Sequence, residues 1–564
     1  MGDTISIGGY LAQRLQEIGV KDYFTVPGDY NLILLDEFIK NKNLQLIGCC
    51  NELNAGYAAD GYARANGIGV VVTTFSVGAL SALNAVAGSY SEDLPVIIIS
   101  GGPNTNSEPE NQLLHHTLGE VRYGYQREIF SHVTSESVVV KHKKVAPFQI
   151  DAAINQCIMT RKPVYIEIPC NIAGLQIHKP QNFNFNKNIV SDKSNLKDSV
   201  AHAAKILNSV QKPVLISGVK LRPYGAIDAF KKLADKSNYA VASMPNAKGM
   251  FPEGHKNYLG TYWGQVSSPG VSEIVESSHA YLFAGPTFTD YTTTGYTTLI
   301  NRDKLINAGP DYVKFPDRTY NNVHLSEFLA ELSKKIKPNN TNVKAFNRIK
   351  EEIAKEPPVK PKEILTTKRM FGIIQSYITS KSALLVETGD SWFNGIKLKL
   401  PDGAKFEIQM QYGSIGWSVG ATLGYALGTE KGRRVMAFIG DGSFQLTAQE
   451  ISTMIRYKVN PIIFLINNRG YTIEVEIHDG IYNNIKNWNY SELIDVFNAE
   501  DGNGISFKVE TEGQLRDSIK KSLKHKGLCF IEISIDRDDC SKELLEWGSK
   551  VGSNNARSPK ESEI

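Results

Sequence analysis

Eight short apolar runs, rich in β-branched residues and separated by stretches with helical spacing, limit this chain to one kind of architecture. They are GVVVTTF from Gly69, PVIIIS from Pro95, PVYIEIP from Pro163, PVLIS from Pro213, ALLVET from Ala383, VMAFIG from Val435, PIIFLIN from Pro461 and CFIEISI from Cys529. Continuous apolar runs of this length read as strands buried on both faces. Strands alternating with helices imply parallel sheets, because a parallel pair needs a long crossover connection. The expected fold class is α/β, with three domains, each a mainly parallel sheet flanked by helices.

The 564 residues are too many for one compact unit. Two polar segments interrupt the pattern, one from His178 to Asn195 and one from Lys337 to Glu363, and both read as surface linkers. They divide the chain into domains at 1–180, 195–340 and 360–564. With 62 Lys and Arg against 59 Asp and Glu, and no run of one sign, the chain lacks the footprint of a nucleic-acid binder. No stretch has the roughly 18 consecutive apolar residues of a membrane span. The six cysteines show no CxxC spacing and are too sparse for a disulfide framework, so a reducing, cytoplasmic setting is expected. The N-terminal residues read as a first helix and not as a secretory signal.

Chemistry enters at two turns. The strand ending VMAFI leads into Gly440, Asp441, Gly442 and Ser443, and a helix follows; the next strand, PIIFLI, ends at Asn467, Asn468, Arg469 and Gly470. Glycines allow close backbone approach, and a helix N-terminus favours an anion. Adjacent parallel strands would bring the two turns together. The Asp441 carboxylate, the Asn468 amide oxygen and the Gly470 carbonyl would then supply three oxygens to a Mg²⁺ ion, with a diphosphate and water completing six. Either turn alone is only a turn; the pair is a cation and diphosphate signature.

This pairing resembles the signature of thiamin diphosphate enzymes. The likeness runs nearly end to end with the family's 2-keto acid decarboxylase branch, nearest the bacterial-type pyruvate decarboxylases. It is carried by VPGDYN at Val26, NELNAGYAADGYAR at Asn51, SVGALSA at Ser76, LLHHTLG at Leu113, ETGDSWFN at Glu387 and YTIEVEIHDG at Tyr471. The resemblance implies an N-terminal domain for the aminopyrimidine ring, a middle domain without cofactor and a C-terminal domain for the diphosphate and Mg²⁺. It also implies a cofactor lying between two subunits, so that a homodimer is needed for each site and a homotetramer is expected.

By the same resemblance, Glu52 bonds the pyrimidine N1′, the Gly413 carbonyl accepts from the 4′-amino group, and Ile415 wedges the cofactor into its bent form. Asp390, Gly440, Gly442 and Ser443 join the cofactor-binding set. Asp29, His115, His116 and Glu474 match the proton-handling groups, and Thr73, Tyr291, Thr388, Trp392, Ile473 and Ile477 match the substrate pocket. The implied reaction is non-oxidative decarboxylation of pyruvate to acetaldehyde through an ylid, a covalent adduct and an enamine. The bulky pocket residues favour pyruvate over indolepyruvate or phenylpyruvate. Carboligases and oxidases on the same scaffold, such as acetohydroxyacid synthase, generally lack the histidine pair, and the middle domain has no GxGxxG fingerprint for a dinucleotide. Adjacent histidines on a helix diverge by about 100°, so His115 and His116 are not expected to share a metal.

Overall fold

The computed structural model describes residues 4–179, 183–185, 189–350 and 356–559. All eight apolar runs are strands, and they occupy the interiors of three sheets. The first sheet has six parallel strands in the order Gln45–Gly48, Asp22–Thr25, Gly69–Thr73, Val96–Gly102, Val164–Pro169 and Glu136–Val139. The third repeats this plan with Lys405–Ile408, Ser382–Val386, Arg434–Gly440, Ile462–Asn467, Cys529–Ser534 and Ile505–Val509. The middle sheet has five parallel strands around Pro213–Ser217 and an antiparallel extension through Tyr312–Lys314 and Thr319–Asn321.

Strands without a long apolar run lie mostly toward sheet edges, where one flank faces solvent. Gln45–Gly48 and Glu136–Val139 have exposed or half-buried residues, whereas Gly69–Thr73 and Val96–Gly102 are buried throughout. At the N-terminus, Thr4–Ser6 pairs antiparallel with Gln176–His178, tying the two ends of the first domain together. The Ser6 hydroxyl caps the expected first helix, Ile7–Glu17, by accepting from the Gly9 amide at 3.0 Å.

The second linker requires correction. It contains a helix, Thr341–Ile349, whose Val343 and Phe346 pack on the middle-domain core. The apolar positions 343, 346 and 349 lie on one helical face, so the segment has a core to join.

The first and third domains of one chain meet through helices Glu52–Asn66 and Trp417–Gly428. A Cβ at Gly61 would lie 2.1 Å from the Ala421 carbonyl oxygen, and one at Gly424 only 1.8 Å from that of Ala58. No side chain fits at either position. Beside this seam, buried Arg64 donates to Asp60 at 2.8 Å and to the Ile408 carbonyl at 3.1 Å, with Glu92 and Glu407 close by. Arg222 of the middle domain reaches the same Glu407, so all three domains share one charge cluster.

Entry into the third domain is pinned by Glu512. It accepts from Arg369 Nε at 2.6 Å and Nη2 at 2.8 Å, and from the Lys360 amide at 2.7 Å. The Arg369 bonds, ahead of opposing desolvation, hold its carboxyl down to about 2. A carboxyl lowered on folding stabilises above its ordinary range and loses that contribution as pH falls through the folded value. Glu512→Gln is expected to cost about 1.5–3 kcal/mol at pH 7. Thermal melts of the two proteins should converge as pH falls from about 4.5 toward 2.

Candidate active site

Strands Arg434–Gly440 and Ile462–Asn467 are parallel neighbours, with Gly440 opposite Ile466, so the turns that follow them stand side by side. Asp441 begins a short helix and is buried. Its Oδ1 accepts from the Gly442 amide at 2.9 Å, and its Oδ2 from the Arg469 amide at 2.7 Å. Arg469 adopts φ +64°, which turns its amide back toward the aspartate. Burial lifts the Asp441 carboxyl to about 6, against backbone bonds that pull it down.

Asn468 Nδ2 donates to Thr472 Oγ1 at 2.6 Å. In that orientation its oxygen lies 3.1 Å from both Asp441 Oδ1 and the Gly470 carbonyl oxygen. In this one of its two orientations the amide places an oxygen beside the other two. Rotating the amide would turn both contacts into hydrogen bonds. A cation removes the need to rotate, and octahedral Mg²⁺ with bonds of about 2.1 Å places adjacent ligands about 3 Å apart. This all-oxygen donor set is chemically suited to Mg²⁺.

These turns open on a cavity of about 290 Å³. Its walls include Gly440, Gly442, Ser443, Asn468 and Gly470, together with Thr388, Asp390, Ile415, Ile473 and Glu474. A Cβ at Gly440 would meet no atom within 4 Å, so open space lies over that backbone. The Thr388 hydroxyl is buried and unpartnered among the described residues. Asp390 is already engaged: it accepts from Ser541 and from Asn394 Nδ2 at 2.7 Å, so it braces the cavity wall.

Beside the cavity, Gly413 (φ +64°) sits against the rings of Tyr291 and Trp392, 3.7 and 3.8 Å from where a Cβ would stand. Tyr291 and Trp392 meet edge to face at 5.8 Å, and Trp547 packs on Tyr291 at 4.9 Å. Burial, then the charges of Asp290 and Glu474, push the Tyr291 hydroxyl up. Trp392 is fully buried, and its indole N–H has no partner among the described residues. Helix Thr472–Ile477, which carries Glu474, is covered by the C-terminal helix Lys542–Asn555; Gly548 and Gly552 approach the Glu476 and Ile477 carbonyls.

Sequence reading overlooked Glu387. Buried at the end of strand Ser382–Val386, its Oε2 accepts from the Gly416 and Ser418 amides at 3.1 Å and the Ser418 hydroxyl at 2.6 Å, while Oε1 accepts from the Thr388 amide at 2.8 Å. It thus fixes the loop bearing Gly413 and Ile415 against Thr388. The signal was an acidic residue closing a fully apolar strand.

A second cluster lies at the C-terminal edge of the first sheet. Glu52 starts a helix capped by Asn51, whose side chain accepts from the Asn54 amide at 2.8 Å. A Cβ at Gly78 would lie 2.9 Å from Glu52 Oε1, so glycine there makes room for the carboxylate. Thr73 is buried nearby at the end of its strand, its hydroxyl unpartnered among the described residues. Asp29 Oδ2 lies 2.5 Å from His115 Nε2, and Oδ1 lies 3.8 Å from His116 Nε2. The histidines are in irregular loop, not helix, and His116 has φ +62°. This overturns the expectation that their side chains diverge: the rings meet edge to face, with centroids 4.7 Å apart.

The structure therefore brings Asp441, Asn468, Gly470, Ile415 and Glu474 together in the third domain, and Asp29, His115 and His116 together in the first. None of Asp29, Glu52, Thr73, His115 and His116 lines the cavity of the third domain.

The chain matches the thiamine pyrophosphate enzyme N-terminal TPP binding domain over residues 5–129, the central domain over 200–335 and the C-terminal TPP binding domain over 391–533. It is 51% identical over 561 residues to pyruvate decarboxylase 3 of Arabidopsis thaliana, covering 98% of this chain and 94% of that one. Pyruvate decarboxylase 2 of Oryza sativa subsp. japonica is 51% identical over 560 residues, and pyruvate decarboxylase 1 of Zea mays 49%, each covering 98% of this chain and 92% of the relative. The chain belongs to the thiamine pyrophosphate enzymes, in their pyruvate decarboxylase family.

Proposed function

We propose that this protein decarboxylates pyruvate to acetaldehyde and carbon dioxide with thiamin diphosphate and Mg²⁺ as cofactors. The observation that carries the reading is the convergence of oxygens from Asp441, Asn468 and Gly470 beside a cavity floored by glycine backbone. When bound, the cofactor supplies the nucleophilic carbon and the electron sink for loss of CO₂.

The protein's part is binding, orientation and proton handling. Asp441, Asn468 and Gly470 would hold the metal ion, and Gly440, Gly442 and Ser443 would receive the diphosphate, with Asp390 bracing the wall. Ile415 and the Gly413 carbonyl would orient the cofactor's rings when it is bound. Glu52 from a second copy completes the site by bonding the aminopyrimidine, so the working unit is a homodimer, and we propose a tetramer built from two such pairs in the cytoplasm. Half-buried and exposed apolar residues flank both half-sites: Val77 and Leu113 near Glu52 and the histidines, Ile481 and Tyr482 near the cavity. A second copy would cover them. Asp29, His115, His116 and Glu474 carry protons to and from the reacting oxygen and carbon. Among the described residues, no helix is long and apolar enough to cross a membrane.

Acetaldehyde release, followed with an alcohol dehydrogenase couple, should require both thiamin diphosphate and Mg²⁺. Turnover without either would sink the reading.

Tyr291, Trp392, Thr73, Thr388, Ile473 and Ile477 set substrate size. Trp392→Ala is expected to raise kcat/KM for phenylpyruvate relative to pyruvate. Because Trp392 is buried against Tyr291, the change should also cost about 3–5 kcal/mol of stability, visible as a lower Tm. An unaltered protein that already prefers aryl substrates would refute the assignment of the pocket.

A further inference from the structure

The loop carrying the histidine pair holds a geometry beyond what shuttling a proton requires. A ring nitrogen of His115, a ring nitrogen of His116 and an Asp29 oxygen all lie within 4.8 Å of one another. The left-handed turn at His116 brings the rings together. The loop is tied down on both sides: Tyr30 Oη donates to the His115 carbonyl and Tyr125 Oη to that of His116, each at 3.3 Å. Tyr30 also stacks on the His115 ring at 4.9 Å. The side chains themselves are accessible, 59% for His115, 50% for Asp29 and 33% for His116.

Two imidazoles and one carboxylate form a borderline-soft donor set that suits Zn²⁺ or Co²⁺; Mg²⁺ takes oxygen ligands. A tetrahedral ion with bonds near 2.0 Å places its ligands about 3.3 Å apart. The separations seen here, from 2.5 Å for Asp29–His115 to within 4.8 Å for the whole set, bracket that value. Small rotations of exposed side chains on a fixed backbone close the difference.

We propose that Asp29, His115 and His116 form a transition-metal site, separate from the Mg²⁺ site, that takes Zn²⁺ through three protein ligands and leaves a fourth position to water. The ion would occupy the lone pairs that otherwise accept protons, so its binding inhibits turnover. That inhibition rests on the proton-handling role proposed above; the binding itself does not.

Calorimetric titration of the holoenzyme with ZnCl₂, in excess Mg²⁺ and thiamin diphosphate at pH 7, tests the site. One Zn²⁺ per chain is expected, with affinity lowered roughly tenfold or more in both His116→Asn and Asp29→Asn. Co²⁺ should give the intense visible absorption of a four-coordinate ion in the unaltered protein alone. Equal Zn²⁺ affinity in all three proteins, or no saturable binding, overturns the proposal. Zn²⁺ should also slow acetaldehyde release reversibly by chelator. Binding lost in the variants but without effect on turnover would leave the site standing and overturn the proton-handling role instead.

Discussion

Asp441→Asn is expected to lower kcat/KM for pyruvate at least about a thousandfold, equivalent to about 4 kcal/mol of transition-state stabilisation, and to abolish Mg²⁺-dependent retention of thiamin diphosphate. The Gly442 and Arg469 amides donate to different carboxylate oxygens, at 2.9 and 2.7 Å, so the asparagine keeps an acceptor for only one of them and the turn loses one backbone bond. What disappears is the one formal negative charge among the three converging oxygens. The stability consequence runs the other way. Burial lifts this carboxyl to about 6, above its ordinary value, so without metal the folded protein favours the protonated form and is disfavoured as pH rises through about 6. At neutral pH, relief of this buried charge in the metal-free variant should offset part of the stability lost with that amide bond. The wild type alone should gain stability on adding Mg²⁺ with thiamin diphosphate, since a ligand that binds only the native state raises Tm. Equal gains in the two proteins would refute the metal assignment.

Glu52→Gln is expected to reduce kcat by about 10²–10⁴, the usual range for a positioned acid–base group, while leaving Tm nearly unchanged. Glu52 is half-buried, and the Asn51 side chain provides the helix cap without it. The informative experiment mixes the two inactive variants. If each site takes Glu52 from one chain and Asp441 from the other, co-refolded or subunit-exchanged Glu52→Gln and Asp441→Asn chains form hybrids with one intact site. Random pairing of equal amounts then restores about a quarter of wild-type activity. A site built within one chain would leave the mixture inactive, and that result would overturn the two-copy reading.

The interior of the fold was readable because central parallel strands bury both faces and so must be apolar from end to end. Edge strands such as Gln45–Gly48 and Lys405–Ile408 carry polar residues and pass for loop. The pairing of the turns at Asp441 and Asn468 was readable because each closes a long apolar strand with polar and glycine residues close together in sequence. Glu387 was not, since its partners are mostly backbone amides some thirty residues away, which leave no side-chain mark. The histidine pair was misjudged through the assumption of helix; a single positive φ at His116, not encoded by any glycine, reverses where the rings point. The helix Thr341–Ile349 was hidden within a segment judged by its polar neighbours.

Glu52 opens one of the two helices locked together by Gly61 and Gly424, and Ile415 stands just before the start of the other. In a pair of chains these two residues would serve different reaction centres. The seam between them then acts as a stiff strut spanning from one centre to the next, with no side chain able to slip in and loosen it. Any shift of the ring-bending loop in one centre would be felt at the carboxylate reaching into its neighbour, so the two centres of a pair should not open and close independently.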